Sequence, residues 1–353
     1  MHPAVWRPGR REALRLFGLT ALGLALGRPA SLLAAAGSAT ASDLGLFRQF
    51  RVMMGGIPVT LSVAAERETD ANAALNAAFG EMERLERLFS VYRPDSEISS
   101  VNAHAGRRPI AVGVETLALI QDGLEMTTLT EGGFHLALGP AITRWDVLDH
   151  PHIPSARELA AIRPLIHGGR VQVDASAREV FLTRPGMRLD PGGIGKGVLT
   201  ERAKQVLQQH GMRGGLIAAA GDIIAFGRRP DGAPWRIGVQ HPRRKDELLA
   251  SLDLTDTAIS TSGDYERFFL RDGVRYHHIL DPQTLTPSRA SRSVTVISPD
   301  GGRADALATG AFVLGPQRGL SLLHEQRVQG VIIDDRGGLH ASPALTNAVS
   351  FHL

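Results

Sequence analysis

Residues 190–197 read Asp-Pro-Gly-Gly-Ile-Gly-Lys-Gly, with four glycines in six consecutive positions. A backbone with so few side chains lets its N–H groups approach a large anion closely. Apolar residues at helical spacing begin at Val198 and stop at Gly211, so this loop is predicted to open a helix. A glycine loop with a lysine at a helix N-terminus suits phosphate. The run matches neither common phosphate-binding glycine motif, and a tight structural turn is the alternative interpretation.

Strand and helix patterns follow one another along the chain without a regular alternation. This order predicts an α+β fold with mixed or antiparallel sheets and packed helices. Thr69 is predicted to cap a helix, and Ser155 and Glu158 form a capping box for a short helix that reaches Ile162. The other predicted elements are two strands within 49–65, helices over 114–130, 304–314 and on to 326, and strands at 171–174, 180–183, 216–219, 223–226, 235–240, 248–254, 258–261, 267–270, 294–297, 331–334 and 339–341.

The first 41 of the 353 residues differ in character from the rest. Arg10-Arg11 resembles the twin-arginine export pattern, and the apolar run over 16–26 is too short to span a bilayer. Small residues follow as cleavage sites, and the chain has no cysteine for a lipoprotein anchor. We expect a twin-arginine signal peptide over 1–41, a periplasmic protein with no stable membrane span after cleavage, and one domain over 42–353. An uncleaved anchor or a disordered tail is the alternative.

The distribution of charge argues against nucleic acid as a partner. The net charge is +3 and the pI about 9.6, but the first 41 residues hold five arginines against one glutamate. That net of +4 leaves about −1 for the remainder, which shows no basic stripe with interleaved aromatic residues. The chain has 39 basic Lys and Arg residues, and only Lys196, Lys204 and Lys245 are lysines. A lysine inside the glycine loop therefore hints at a specific role.

Two adjacent histidines, His277 and His278, lie in a strand-like stretch. Neighbouring side chains of a strand point to opposite faces, so only one imidazole can face a given pocket. An imidazole titrates at about 6.5, which suits a general base near neutral pH. The alternatives are a hydrogen-bonded structural pair or a metal site, but adjacent histidines chelate poorly and no third ligand has zinc-type spacing.

Asp305 and Thr309 are four residues apart in a predicted helix and therefore share one face. A carboxylate beside a hydroxyl offers the hard oxygen ligands that Mg²⁺ prefers. Helix capping is the alternative interpretation and explains Asp305 well. It explains Thr309 poorly, because that residue lies a full turn further into the helix.

Eight stretches, taken in order, resemble the ApbE family of FAD:protein FMN transferases. Each stretch alone is a weak signal, and their common order makes the match specific. The resemblance covers nearly the whole chain after the leader and implies an ApbE-like (T-fold-like) α+β domain. The stretches are 52–55, 89–92 with 96–99, 132–134 with 139–140, 189–197, 219–222, 260–265, 276–282 and 304–309.

The resemblance implies Mg²⁺-dependent transfer of FMN from FAD to a Thr or Ser hydroxyl of an exported acceptor protein, with release of AMP. Positioning and charge neutralisation dominate catalysis of this kind. His278 would be the base, with His277 as the second candidate. Asp305, Thr309 and a backbone carbonyl near Gly193 would hold the metal. The residues that the family implies for FAD are Met54, Tyr92, Gly133, Phe134, His135, Asp190, Lys196 and Ile279.

His135 departs from the family pattern, which usually has Asp at this position. A carboxylate accepts several hydrogen bonds and a neutral imidazole only one, so we expect weaker FAD binding or a different pose. Two further functions remain open from the residues alone. One is an FAD pyrophosphatase, in which water replaces the acceptor hydroxyl and gives FMN and AMP. The other is a periplasmic flavin-binding protein without catalysis.

Overall fold

The computed structural model describes residues 44–348 and 350–351, so the predicted signal peptide lies outside the described residues. The described helices are α1 (Glu68–Phe89), α2 (Glu97–Ala103), α3 (Val114–Leu129), α4 (Gly139–Trp145), α5 (Ala156–His167), α6 (Gly195–Gln209), α7 (Gly301–Glu325) and α8 (Pro343–Ala348). The described strands are β1 (Gly45–Met53), β2 (Ile57–Ala65), β3 (Ile110–Ala111), β4 (Val171–Asp174), β5 (Glu179–Leu182), β6 (Gly214–Ala219), β7 (Asp222–Phe226), β8 (Trp235–Gln240), β9 (Leu248–Leu254), β10 (Thr257–Gly263), β11 (Phe268–Arg271), β12 (Val274–His277), β13 (Leu280–Asp281), β14 (Thr286–Pro287), β15 (Ser291–Ser298), β16 (Gln329–Asp334), β17 (Leu339–Ala341) and β18 (Ser350–Phe351).

An antiparallel eight-stranded sheet, ordered β1-β2-β6-β7-β10-β15-β16-β17, forms the centre of the molecule. Helices α1, α6 and α7 pack on one of its faces, and the small sheet of β8, β9 and β18 covers much of the other. Alternate residues of β2, such as Val59, Leu61 and Val63, are fully buried in the helix-side core. This architecture confirms the predicted α+β class with antiparallel sheets and packed helices.

A smaller apolar cluster holds the β11–β12 hairpin, which contains the first of the two histidines, against α4 and α5. The indole Nε1 of Trp145 donates a hydrogen bond of 2.8 Å to the carbonyl of Leu285. Its ring stacks on Tyr276 at 5.8 Å between centroids, and Tyr276 stacks in turn on Phe269 at 5.2 Å. The hairpin is thus fixed by aromatic packing on one of its faces.

One end of the central sheet collects the turns that surround the site. The end of β6 lies beside the start of β2, where Val59 pairs with Ala219. The start of β7 lies beside β10, where Asp222 pairs with Ser260. The β1–β2 turn, in which Met54 adopts a φ of 50°, lies at this same end. Antiparallel pairing therefore places segments far apart in sequence at one edge.

Two helix boundaries differ from the sequence prediction. Thr69 is not a cap, because α1 begins at Glu68 and its N-cap is Arg67, which lies two residues before Thr69 and has no side-chain cap bond. Arg67 instead donates from Nε to Asp70 at 2.7 Å, so an ion pair supports the first turn. The capping box of Ser155 and Glu158 is confirmed, but α5 continues through Pro164 to its C-terminus at His167.

The sequence predicted two helices that meet near residue 314. The structure has one continuous helix, α7, with a kink at this point. Gly315 adopts a φ of 77° inside α7, a conformation that glycine tolerates and other residues rarely adopt. Among the described helices, none has the length and apolar content needed to cross a membrane.

Helix α6 approaches the first turn of α7 as closely as backbones allow. A Cβ added at Gly197 would stand 2.1 Å from the carbonyl oxygen of Gly301 and 2.8 Å from the Cα of Gly302. Gly197 is therefore required by backbone contact between two helices, which is why the glycine run extends past the lysine.

We expect Gly197→Ala to lower the free energy of unfolding by about 3 kcal/mol, because the new methyl group must displace backbone atoms. Gly195→Ala is the matched control in the same helix, since its added Cβ meets only Pro191 Cβ at 4.0 Å. The control should be neutral or stabilising by about 0.5 kcal/mol. Chemical denaturation of both variants measures the difference, and equal midpoints would contradict the close-contact explanation.

Candidate active site

A cluster of three charged side chains lies at the N-terminus of α6. The ammonium of Lys196 is 3.0 and 3.1 Å from the two carboxylate oxygens of Asp305, and 3.2 Å from Oδ2 of Asp222. It also donates to the carbonyl of Gly192 at 3.2 Å. The side chains of Asp305 and Asp222 are 3% and 4% exposed, whereas that of Lys196 is 24% exposed. Lys196 therefore lies between the two buried carboxylates and the solvent.

The start of α6 and the second turn of α7 hold this cluster together. The N–H of Gly197 donates to Asp305 Oδ2 at 3.2 Å, so the positive end of α6 faces that carboxylate. The capping interpretation of Asp305 is wrong, because the N-cap of α7 is Asp300, whose side chain accepts from the N–H of Arg303 at 2.7 Å. The carboxylate of Asp305 therefore contacts α6 rather than capping its own helix.

The electrostatics of the cluster leave negative charge in excess. Burial alone would lower the pKa of Lys196, but Asp222 and Asp305 together raise it. Burial and then the neighbouring Asp222 raise the pKa of Asp305, although Lys196 opposes this change. Two buried carboxylates sharing one ammonium can accommodate a further cation.

The second predicted metal ligand lies next to the glycine loop. A Cβ added at Gly193 would be 3.1 Å from Oγ1 of Thr309 and 3.2 Å from the ring of Phe134. Thr309 Oγ1 also lies 3.3 Å from Oγ of Ser262. The structure thus gathers Gly193, Thr309 and Phe134, with Asp305 one turn away on the same helix. Carboxylate, hydroxyl and carbonyl oxygens are hard donors, so these residues fit the Mg²⁺ ion that the sequence predicts.

The contacts of the two histidines separate their roles. His277 is buried, its Nε2 lies 2.8 Å from the carbonyl of Ser288, and its Nδ1 accepts from the N–H of Ile279 at 3.3 Å. Its ring also packs edge-on against Phe312 at 5.6 Å. Both nitrogens of His277 are therefore engaged within the fold, as the structural interpretation of the pair requires.

One ring nitrogen of His278 is not engaged by a hydrogen bond within the described chain. Its Nδ1 lies 3.3 Å from the carbonyl oxygen of Arg267, and since a carbonyl only accepts, Nδ1 carries the hydrogen. Nε2 then holds the lone pair, and no hydrogen-bond partner for it is found within the described chain. Burial and then the charge of Arg267 lower the pKa of His278 to about 3, so the ring is neutral at physiological pH. These contacts favour His278 over His277 as the base.

The loop that precedes α4 is pressed against α7. A Cβ added at Gly133 would lie 2.7 Å from the carbonyl oxygen of Gly310, so only glycine fits there. The next residue, Phe134, is buried and donates its N–H to Thr130 Oγ1 at 2.9 Å. This packing explains why two small or buried residues precede His135.

His135 presents a donor and no free acceptor. Its Nδ1 accepts the N–H of Ala137 at 3.2 Å, which places the ring hydrogen on Nε2. Burial, and then His167 with its ring 6.2 Å away, lower the pKa of His135 to about 4. The single acceptor of the neutral imidazole is thus used within its own loop.

The other four residues predicted to bind FAD differ from one another in burial and in hydrogen bonding. Asp190 accepts the N–H of Gly192 at 2.8 Å, and burial raises its pKa. The pKa of Tyr92 is raised first by burial of its hydroxyl and then by nearby Asp190, although the side chain as a whole is 68% exposed. Ile279 is buried, and its N–H and carbonyl already pair with His277 and Ser288. Met54 lies at the same end of the sheet and packs, partly buried, against the helix-side core.

Three residues of the site were not assigned by sequence reasoning. Asp222 contacts Lys196, Ser262 contacts Thr309, and the main chain of Arg267 orients His278. Asp222 and Ser262 lie in stretches that match the family, but nothing in their spacing links them to the glycine loop. The rarity of lysine was the available signal, because a buried lysine needs carboxylate partners.

A separate cavity of about 580 Å³ lies on the outer side of α6. It contains none of the predicted FAD or metal residues. Its lining is rich in carboxylates, which disfavour a diphosphate, and we therefore place the site at the Lys196 cluster. The acidic residues that line the cavity are Glu115, Asp122, Glu125, Glu201 and Asp300.

Comparison with known proteins identifies similar sequences and structures. The model of the ApbE family matches residues 55–332. An FAD:protein FMN transferase of Klebsiella pneumoniae is 33% identical over 288 residues, 81% of this chain and 88% of the relative. One of Treponema pallidum is 34% identical over 274 residues, 72% of this chain and 75% of the relative. The crystal structure of the ApbE protein from Thermotoga maritima superposes with a TM-score of 0.81 at 29% identity, over 86% of this chain and 99% of that structure.

The buried histidines make stability dependent on pH. Burial lowers the pKa of His277 to about 4, below the value of about 6.5 expected for the unfolded chain. Its contribution is present above pH 6.5 and is lost as the pH falls towards 4, because the unfolded chain binds the proton first. A pKa difference of one corresponds to about 1.4 kcal/mol, so His277 alone accounts for about 3 kcal/mol. Chemical denaturation at pH 7 and pH 4.5 should show the loss, and His277→Asn should reduce it; an unchanged pH dependence in that variant would contradict the assignment.

Proposed function

This chain belongs to the ApbE family, and from that membership we propose that it is an FAD:protein FMN transferase that uses Mg²⁺ and modifies a Thr or Ser hydroxyl of an exported acceptor. The single observation that carries the proposal is the convergence of Lys196, Asp305 and the glycine loop at the N-terminus of α6. A positive helix end beside an ammonium suits a diphosphate. Oxygen donors at Asp305 and Thr309 suit the metal that a diphosphate binds.

The reaction exchanges the phosphoanhydride linkage of FAD for a phosphoester linkage to the acceptor. The acceptor hydroxyl oxygen bonds to the phosphorus of the FMN half of FAD. The bond from that phosphorus to the bridging oxygen breaks, and AMP leaves with the bridging oxygen. The hydroxyl proton passes to Nε2 of His278, for which no hydrogen-bond partner is found in the described chain.

The protein contributes positioning and charge at fixed points. The side-chain ammonium and the backbone N–H of Lys196 would bind phosphate oxygens, and Asp190, beside the loop, would orient the rest of FAD. Phe134 and Tyr92 would contact the flavin or adenine rings. Asp305, Thr309 and the carbonyl near Gly193 would hold Mg²⁺, which when bound neutralises charge on the phosphates.

The location of the reaction is part of the proposal. We infer that residues 1–41 direct export by the twin-arginine pathway and that the protein acts in the periplasm on an exported protein. The arginine pair followed by the apolar run in that segment supports this inference.

Transfer can be separated from the two other functions in one assay. Purified protein with FAD, Mg²⁺ and a candidate acceptor should give a fluorescent acceptor band that survives a denaturing gel. Steady AMP release without any acceptor would instead indicate a pyrophosphatase. Tight FAD binding with no AMP under either condition would indicate a flavin-binding protein.

His278→Gln should lower the transfer rate by at least about 100-fold while FAD affinity changes little, because only the proton acceptor is lost. His277→Gln serves as the comparison, since that ring is engaged by Ser288 and Ile279. Its main effect should be on thermal stability. If His277→Gln retains structure but loses transfer, and His278→Gln does not, the two assignments are reversed.

His135→Asp should strengthen FAD binding by about tenfold, because a carboxylate supplies acceptors that the imidazole lacks. Flavin fluorescence titration measures the affinity. His135→Asn keeps one acceptor without charge and should fall between the two. Weaker binding in the Asp variant would show that His135 contributes its Nε2–H as a donor to FAD.

A further inference from the structure

We propose that Asp222 is a positioning residue for FAD binding, which acts by holding the Lys196 ammonium at the edge of the diphosphate site. This inference rests on the proposed function and adds a residue to it. Asp222 begins β7, whereas Asp305 lies on α7, and the Asp222 side chain is 4% exposed. Its distance of 3.2 Å to Lys196 Nζ matches that of the Gly192 carbonyl.

The donors of Lys196 explain why a second carboxylate is needed. An ammonium has three N–H groups; Gly192 and Asp305 accept hydrogen bonds from them, and Asp222 Oδ2 forms an ion pair with the nitrogen at 3.2 Å. Once Asp305 serves as a metal ligand, one of these N–H groups becomes available for a phosphate oxygen. Asp222 and the Gly192 carbonyl then keep the ammonium in place. Without Asp222, a flexible four-carbon side chain would be held by one carbonyl.

The orientation of Asp222 is itself set by the sheet. Ser260 lies directly opposite Asp222 in the β7–β10 register, and its hydroxyl donates to Asp222 Oδ1 at 2.6 Å. Oδ2 is left for Lys196. Ser260 is buried, so this bond is shielded from water. The pairing of β7 with β10 thus fixes the Asp222 side chain, and Asp222 in turn holds Lys196 of α6.

The sign of one effect distinguishes positioning from simple electrostatics. Asp222 carries negative charge close to where a diphosphate would bind. If its charge acted directly on FAD, removing it would strengthen FAD binding. If Asp222 acts through Lys196, removing it weakens FAD binding, and only while the lysine is present.

The test is a double-mutant cycle with FAD titrated by flavin fluorescence in the presence of Mg²⁺ and no acceptor. Asp222→Asn should weaken FAD binding by about tenfold, and Ser260→Ala by about threefold in the same direction. In a Lys196→Met background, Asp222→Asn should cause no further weakening. Glu81→Gln is the control, because Glu81 is a carboxylate with 16% exposure that pairs with Arg84 and Arg202 rather than with Lys196. It should leave FAD affinity unchanged.

A second measurement does not involve FAD. The chain has three lysines, so acylation of each by an amine-reactive reagent can be followed by mass spectrometry. Lys196 should be acylated several-fold faster in Asp222→Asn, while Lys204 and Lys245 serve as internal references. Ser260→Ala should give a smaller increase and keeps the test valid if Asp222→Asn fails to fold.

The outcomes separate the inference from the proposed function. Wild-type protein that binds no FAD would overturn the proposed function. Wild-type protein that binds FAD, with equal or tighter binding in Asp222→Asn, would overturn the role of Asp222 alone. Equal weakening by Asp222→Asn with and without Lys196 would also overturn it, because the effect would not pass through the lysine.

Discussion

Two buried carboxylates facing one ammonium are the constraint on which the rest of the site depends. Removing such charges from water is costly, and the protein offsets this with Lys196, the N–H of Gly197 and the hydroxyl of Ser260. Two of these groups come from α6 and the third from β10, while the carboxylates themselves lie on α7 and β7. The glycine loop, the kinked helix α7 and the central sheet must therefore meet at this point, and the contact between Gly197 and Gly301 lets them do so.

Much of the fold followed from local pattern. The strands over 235–240 and 248–254 have the predicted bounds, since alternating apolar residues mark a half-buried strand. Propensity misplaced the start of α1, because an ion pair between Arg67 and Asp70 replaced the expected cap. The two-residue strands β3, β13 and β14 gave no signal, because pairing rather than composition defines them: β3 pairs with the distant β5, and β13 with β14 across a short turn.

The site was predictable in its parts but not in its connections. Spacing along one helix related Asp305 to Thr309, and the glycine loop was visible as a run of residues. Asp222 was not assigned, because its link to Lys196 depends on the order of strands in the sheet. The choice between His277 and His278 likewise depended on the backbone carbonyls of Ser288 and Arg267, which no side-chain pattern reveals. Family resemblance supplied FAD, which physical chemistry alone would have left as an unspecified phosphate compound.

The three acceptors around Lys196 also limit which residue can replace this lysine. Arginine stands at most basic positions of the chain, since lysine occupies only three of the 39. A tetrahedral ammonium can direct one N–H to each of Gly192, Asp222 and Asp305, whereas a flat guanidinium spreads five donors in a plane. A change from lysine to arginine has little effect at an exposed position, but at position 196 it would disturb Asp222 and Asp305 together. We therefore expect lysine to be required there, although arginine is the usual basic residue of this chain.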